Sequence, residues 1–369
     1  MANKWNAQTI RRILVRGPNW VGDAVMCTPA LQGIRHTFPQ AEISLLARPT
    51  VAHLLRGHQC LDDVIVEEHH GQHAGLTGKL RLSREIYAKG FDLIVLFPNS
   101  FDAALTAFLA RIPRRFGYAT DGRSFLLTDA FPLPREAKKL HQVQYYQKLV
   151  RPLCPQYSFG SPILSVSQDD EAQVAMLLST HGVSSDCVLF AVNPGSMYGG
   201  AKRWLPERFA EASDQLLKKF EALESSSGEV KCVIVGAPGE EALGQKIAGL
   251  MRSNPLILSG QTSIGVLKAL IQRCRLFLTN DTGPMHMANA LGVPVVAVFG
   301  PTDHTTTSPF SPGYVVVRTP VDCSPCLLRE CPIDHRCMTG VTVEQVIQAA
   351  EQCLVKREDI SFRGVQAEC

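Results

Sequence analysis

The sequence predicts an α/β protein of two domains, each a parallel sheet wound with helices. Three observations carry this reading. Short apolar runs alternate with segments of helical spacing along the chain. The alternation stops once, in a stretch rich in Pro, Ser and Gly at residues 154–167, and then restarts. And 369 residues are too many for one compact core. Strands joined through helices of this length form right-handed βαβ units, and therefore parallel sheets.

In the first domain, residues 13–15 form a short apolar strand. Residues 21–38 then show helical spacing through Val21, Val25, Leu31, Ile34 and Phe38. Strands are expected at 43–47, 64–66, 93–97 and from 115 to 118. Helices are expected at 51–56, 80–89, 103–109 and 140–153. After the linker a helix covers 169–181. Strands follow at 188–192, 230–235, 256–258, 276–278 and 295–299, with helices at 209–223, 240–251 and 264–274 between them. A polar tip at 225–228 joins a helix to a strand. The last helix, 343–355, follows an irregular Cys-rich loop. These elements make two Rossmann-like parallel-sheet domains, residues 1–160 and 161–342, facing a central cleft. Ligands of open α/β sheets bind beyond the carboxyl ends of the strands, so that cleft is the expected site.

Bulk composition narrows the class. A hydrophobic share of 45% and a charged share of 19% describe an ordinary globular protein, and a net charge of +3 does not argue for a nucleic-acid partner. No apolar run is long enough to span a bilayer, and residues 1–10 lack the apolar core of a signal peptide, so a cytoplasmic protein is expected. Basic residues cluster at Arg11, Arg12 and Arg16, and again at Arg111, Arg114 and Arg115. They could face an anionic substrate or membrane surface, or simply form a solvated rim. Of twelve cysteines, Cys27, Cys187, Cys232, Cys274 and Cys353 sit in apolar runs and read as small buried hydrophobes.

The most informative stretch is 279–300, TNDTGPMHMANALGVPVVAVFG. It reads as a strand end, an abrupt Asp-Thr-Gly turn, a short helix stopped by Gly292, and a second buried strand. Asp281, Thr282, Gly283 and His286 crowd the helix N-terminus. Unpaired N–H groups and the positive dipole end make such a turn a ready phosphate site, and an ordinary capped helix looks the same in sequence. A second loop, NPGSMYGGAKRW at 193–204, follows the first strand of the second domain, so Ser196, Lys202 and Arg203 share that sheet edge. In the first domain, RGPNWVGD at 16–23 places Asp23 near a helix N-terminus, either as a cap or as a base that takes a proton from an attacking hydroxyl. Glu240 and Glu241 follow another strand, where a carboxylate can meet ribose hydroxyls or serve as a first-turn helix Glu. Cys323, Cys326, Cys331 and Cys337, with His335 among them, permit a zinc site, although the spacing is not that of a zinc ribbon and reduced loop cysteines account for it. A dinucleotide G-x-G-x-x-G, a P-loop, H-E-x-x-H and G-x-S-x-G are absent.

Together, Gly22-Asp23, Ala201-Lys202-Arg203-Trp204, Asn280-Asp281-Thr282-Gly283-Pro284-Met285-His286 and the Cys-rich loop resemble the ADP-heptose:lipopolysaccharide heptosyltransferases of glycosyltransferase family 9. The resemblance covers nearly the whole chain, and the order and spacing look most like the heptosyltransferase II branch. It implies a GT-B fold, with an N-terminal acceptor domain, a C-terminal donor domain and a last helix, within 343–369, packing back on the first domain. It implies inverting, metal-independent transfer of L-glycero-D-manno-heptose from ADP-heptose to the first heptose of the lipid A–Kdo inner core, with peripheral contact at the inner face of the cytoplasmic membrane. By the same resemblance Asp23 is the general base. Lys202 binds the diphosphate and stabilises the leaving ADP. Asp281, Thr282, Gly283 and His286 hold phosphates and sugar, Ser196 lines the same loop, Glu240 or Glu241 meets the ribose, and Thr262 edges the adenine pocket. The rival expectations are heptosyltransferase I or III, or a non-catalytic nucleotide-sugar or glycan-binding protein. Acceptor choice lies in loops near 100–115, which the sequence does not decode.

Overall fold

The structure is a computed structural model that describes residues 9–223 and 229–365. The expected polar tip at 225–228 and the first eight residues of the N-terminal segment lie outside the described residues, as do 366–369. The chain divides into two compact units, Met1–Ser165 and Val166–Cys369.

The first unit runs β1 (Arg12–Arg16), α1 (Val21–Met26), α2 (Thr28–Thr37), β2 (Glu42–Ala47), α3 (Pro49–Leu55), β3 (Asp63–Val66), α4 (Gly75–Ala88), β4 (Leu93–Leu96), α5 (Phe101–Leu109), β5 (Arg114–Tyr118), β6 (Asp129–Phe131) and α6 (Gln142–Val150). Its six strands are all parallel, in the order β3-β2-β1-β4-β5-β6. The order reverses direction between β1 and β4. The loops after these two strands therefore diverge to opposite faces and leave a crevice between them. The expected long helix over 21–38 is two helices. Pro29 has no N–H for the carbonyl of Val25, and the Thr28 hydroxyl donates to that carbonyl instead, at 2.8 Å. The helical register restarts on the carbonyl of Cys27.

The second unit runs α7 (Gln168–Thr180), β7 (Val188–Asn193), α8 (Pro206–Leu223), β8 (Val230–Ile234), α9 (Glu241–Leu250), β9 (Leu256–Ile257), α10 (Ile264–Gln272), β10 (Cys274–Asn280), α11 (Gly283–Ala290), β11 (Val295–Val298), α12 (His304–Thr307), β12 (Tyr314–Val317), α13 (Arg336–Thr339) and α14 (Val343–Val365). Again six parallel strands form the sheet, ordered β12-β11-β10-β7-β8-β9, and the reversal falls between β7 and β10. Two edge strands went unread in the sequence. β6 spans only three residues, and β12 lies between loops rich in Pro and Gly. Within its described side chains, α14 packs on its own unit: Val346, Ile347, Ala350 and Cys353 are buried in one core with Phe190, Phe209 and Val296.

Candidate active site

Each unit gathers its chemical groups at its own switch point. In the first, Asp23 occupies the first turn of α1, after β1. The residue at the helix N-cap is Trp20, which makes no side-chain cap. Nor does the Asp23 carboxylate serve a helix N–H: its Oδ1 accepts a hydrogen bond from the Tyr146 hydroxyl on α6, at 3.3 Å. Burial pushes the Asp23 carboxyl above the usual carboxylate range, and the Tyr146 hydrogen bond offsets part of this. Asp23 lines a cavity of about 430 Å³ with Trp20, Asn99, Gln142, Tyr145 and Tyr146. Asn99, beyond β4, donates to the Tyr145 hydroxyl at 2.7 Å. The Tyr145 and Tyr146 rings meet edge-on at 5.5 Å, and Phe97 lies 5.4 Å from Tyr146. The loop carrying Asn99 is held from below by Arg123, a fully buried guanidinium that donates to the carbonyls of Pro98, Ser100 and Tyr118. Sequence reasoning missed Asn99, Tyr145, Tyr146 and Arg123. The adjacent tyrosines on an expected helix were the one signal available.

The basic clusters separate on inspection. Arg16 is buried, bonded to Glu67 and to the carbonyl of Leu46, and Arg12 pairs with Glu42. Arg115 donates to the carbonyls of Ile112 and Leu126. These three brace the first unit.

In the second unit, loops after β7 and β10 meet. Asn193 ends β7 and donates to Thr279 and Thr282; Asn280 ends β10, donates to the carbonyls of Pro194 and Gly195, and accepts from the Trp204 N–H at 3.0 Å. These two asparagines lock the turns together; in the sequence Asn280 was named only within its motif and neither was given a role. Trp204 is fully buried and donates through its indole to the carbonyl of Val341 at 3.1 Å. The Lys-Arg-Trp segment is thus anchored in the core at its tryptophan, with Lys202 only 13% exposed.

Lys202 Nζ lies 2.6 Å from Asp281 Oδ2, and Thr302 donates to the same oxygen, also at 2.6 Å. Asp281 therefore faces the ammonium and holds it. Thr282 is the N-cap residue of α11 and makes no side-chain cap, since its hydroxyl is engaged by Asn193 and Thr279. The helix start is left without a capping side chain, as an anion site requires. His286 is buried in that first turn.

Glu240 is the N-cap residue of α9, beyond β8, and makes no side-chain cap; its side chain is 10% exposed. One oxygen accepts the Ser196 N–H and the other the Ala237 N–H, each at 2.9 Å. Arg203 lies 3.6 Å away and also donates to the carbonyl of Ser196. A Cβ on Gly195 would stand 2.0 Å from this carboxylate, so only glycine admits it. Glu241 instead is exposed and accepts the Gly239 N–H, which holds its carboxyl below the usual range. The hydroxyls of Ser196, Ser259 and Thr262, and Nε of Arg203, are buried without a hydrogen-bond partner. Buried polar atoms are nearly always paired, with protein, ordered water or a ligand.

The four clustered cysteines carry free thiols. Cys323 and Cys326 are exposed, Cys331 is half-buried and Cys337 is buried, where its thiol is pushed up by desolvation. Among the described residues no group of three or more His, Cys, Asp or Glu side chains is arranged to hold a metal ion. His335 uses Nε2 on the carbonyl of Ala201, 2.7 Å away.

Two parallel six-stranded α/β units, with the matches that follow, place the chain among the glycosyltransferases of GT-B fold. Residues 79–336 match the sequence model of glycosyltransferase family 9 (heptosyltransferase), and the chain belongs to that family. It is similar to lipopolysaccharide heptosyltransferase 2 of Salmonella typhimurium, 31% identical over 317 residues, covering 83% of this chain and 88% of the relative. Among solved structures, a family 9 glycosyltransferase from Veillonella parvula superposes with a TM-score of 0.83 at 25% identity, covering 94% of this chain and 98% of its own. The ADP-heptose lps heptosyltransferase II of E. coli gives 0.78 at 26% identity, covering 94% and 99%. Among the described residues no helix is long and apolar enough to cross a membrane.

Proposed function

We propose that the chain transfers L-glycero-D-manno-heptose from ADP-heptose to the first heptose of the lipid A–Kdo inner core, with inversion and without a metal. The observation that carries the mechanism is Asp23, a carboxylate raised by burial, free of capping duty and oriented by one phenol in an aromatic-lined cavity. A base of this kind takes the proton of the acceptor hydroxyl as its oxygen attacks the anomeric carbon. The bond from that carbon to the β-phosphate oxygen breaks, and its electron pair leaves with ADP. One displacement inverts the centre.

The donor belongs to the second unit. Lys202 and the N–H groups opening α11 face the charge that accumulates on the leaving diphosphate, which is the task a metal would otherwise perform. Asp281 positions Lys202, because a carboxylate repels phosphate and this one already accepts from the ammonium. Thr282, Gly283 and His286 bind phosphate and sugar. Glu240 meets the ribose, since it is the shielded carboxylate at the strand ends while Glu241 is exposed; Ser196, Ser259 and Thr262 line the nucleoside pocket with their unpaired hydroxyls. The acceptor is lipid-linked, so the chain works in the cytoplasm against the inner membrane face. Exposed Phe101 and Phe125, with ring centroids 6.1 Å apart, suit such contact.

The test is turnover. Purified protein with ADP-heptose and a Kdo–lipid A acceptor bearing one heptose should release ADP and add one heptose; acceptors lacking that heptose, or already bearing two, should stay unchanged. Asp23→Ala should lower kcat by about a hundred- to ten-thousandfold with ADP affinity intact, the range that a positioned base contributes. Activity surviving in that variant would remove Asp23 from the reaction.

A further inference from the structure

Met197 and Tyr198 bring bulk to the donor loop that diphosphate binding does not call for. Tyr198 is half-buried, and the Lys202 ammonium sits 4.7 Å from its ring centroid. The Arg329 guanidinium approaches the same ring at 5.6 Å. The Tyr198 hydroxyl donates to the carbonyl of Leu327 at 2.6 Å. Leu327 belongs to the Cys-rich segment between β12 and α13, which grips this loop at three further points. The Ala201 N–H donates to the carbonyl of Arg329 at 2.9 Å, the Gly200 N–H donates to Glu330 at 2.8 Å, and His335 donates to the carbonyl of Ala201. The two glycines make the grip possible. Gly199 has φ +152°, and a Cβ there would stand 2.3 Å from the Arg329 carbonyl oxygen; one on Gly200 would stand 2.6 Å from the Glu330 carboxylate.

The contacts close into a ring. The Leu327 N–H donates to the carbonyl of Pro301 at 2.8 Å, and the next residue, Thr302, donates to Asp281. Asp281 accepts from Lys202, and Lys202 faces Tyr198, whose hydroxyl returns to Leu327. A lysine is a point charge on a flexible stem. Nζ rests on Asp281, 2.6 Å from Oδ2 and 3.4 Å from the carbonyl oxygen, and this side alone would leave the stem free to swing about that contact. The negative face of the tyrosine ring adds attraction from a second direction.

We infer that Tyr198 is a positioning residue for Lys202, tethered by the Cys-rich segment, and that it acts on the donor only through that ammonium. This rests on the reading of Lys202 as a diphosphate ligand. A partly desolvated cation–π contact corresponds to about tenfold in affinity.

Calorimetric titration with ADP of Tyr198→Leu, Tyr198→Phe, Lys202→Ala and the Tyr198→Leu/Lys202→Ala double variant tests it, with thermal melting to confirm folding. Tyr198→Leu should weaken ADP binding about tenfold and Tyr198→Phe, which keeps the ring and loses the tether, about two- to threefold. In the Lys202→Ala background the leucine substitution should cost less than about twofold, because its target is gone. Equal losses in both backgrounds would show a general packing role and overturn the inference, as would full affinity in Tyr198→Leu when Lys202→Ala is impaired. If Tyr198→Leu does not fold, Tyr198→Phe in the two backgrounds gives the same comparison. Unchanged affinity in Lys202→Ala itself would instead bring down the donor-site reading, and the inference with it.

Discussion

Tyr146→Phe isolates the tuning of the proposed base. The substitution deletes one hydroxyl and keeps the ring against Phe97 and Tyr145. That hydroxyl bonds the Asp23 carboxylate and not its protonated form, so it lowers the pKa that burial has raised. Without it, burial acts unopposed and Asp23 holds its proton to higher pH. The bond is long, at 3.3 Å, so its strength falls below the usual range for hydrogen bonds to charged groups, at about 1 kcal/mol. One kcal/mol is about fivefold in an equilibrium constant. The pH profile of kcat/KM for the acceptor, at saturating ADP-heptose, should keep its plateau within about twofold. On the acid limb the rate should fall about fivefold at any fixed pH, because the limb moves up. A limb that stays in place, or moves to lower pH, would refute the assignment of Asp23 as the group that must be deprotonated. A loss of plateau with no movement would mean that Tyr146 serves packing or acceptor contact instead.

Two further outcomes follow from the donor unit. Asp281→Asn removes the charge that holds Lys202, a pair 13% and 6% exposed, and breaking such a pair is worth about 3 kcal/mol or more; kcat/KM for the donor should drop by about a hundredfold, read by ADP release, and a drop below tenfold would argue that Lys202 keeps its place without it. Gly195→Ala drives a methyl into the Glu240 carboxylate, so it should destabilise by about 1–3 kcal/mol in urea denaturation and raise the donor KM, whereas wild-type values for both would mean that Glu240 swings aside freely.

How much of this could be read from the chain depended on locality. The βαβ alternation and the Asp-Thr-Gly turn are local patterns, and apolar runs such as 295–298 and 188–192 declared their strands directly. Even the choice between a cap and a ligand site at Asp23 and Asp281 turned on distant partners. Tyr146 lies on α6, and Lys202 and Thr302 flank Asp281 from opposite directions in sequence. Glu240 and Glu241 are adjacent in sequence and alike in type; what separates them is that Glu240 is shielded and bonded to the Ser196 loop while Glu241 is exposed. Asn193 and Asn280 carried no visible mark, because an asparagine at a strand end looks like any turn residue until its cross-strand partner is known. The break at Pro29 was legible in principle, since the proline stands in the middle of the expected helix.

The placement of α14 sets an order on biosynthesis. Val346, Ile347, Ala350 and Cys353 fill the same core as residues of β7, β8, β10 and β11, and the segment that grips the Lys202 loop also follows the last strand. A nascent chain with all twelve strands outside the ribosome still lacks the helix that packs on β11, β12 and α8, and its Lys202 loop has Asp281 but not yet the grip of the Cys-rich segment. Domains fold as units during synthesis, first unit first. The unit carrying Asp23 can therefore be finished while the second unit still waits for α14 to cover β11 and β12.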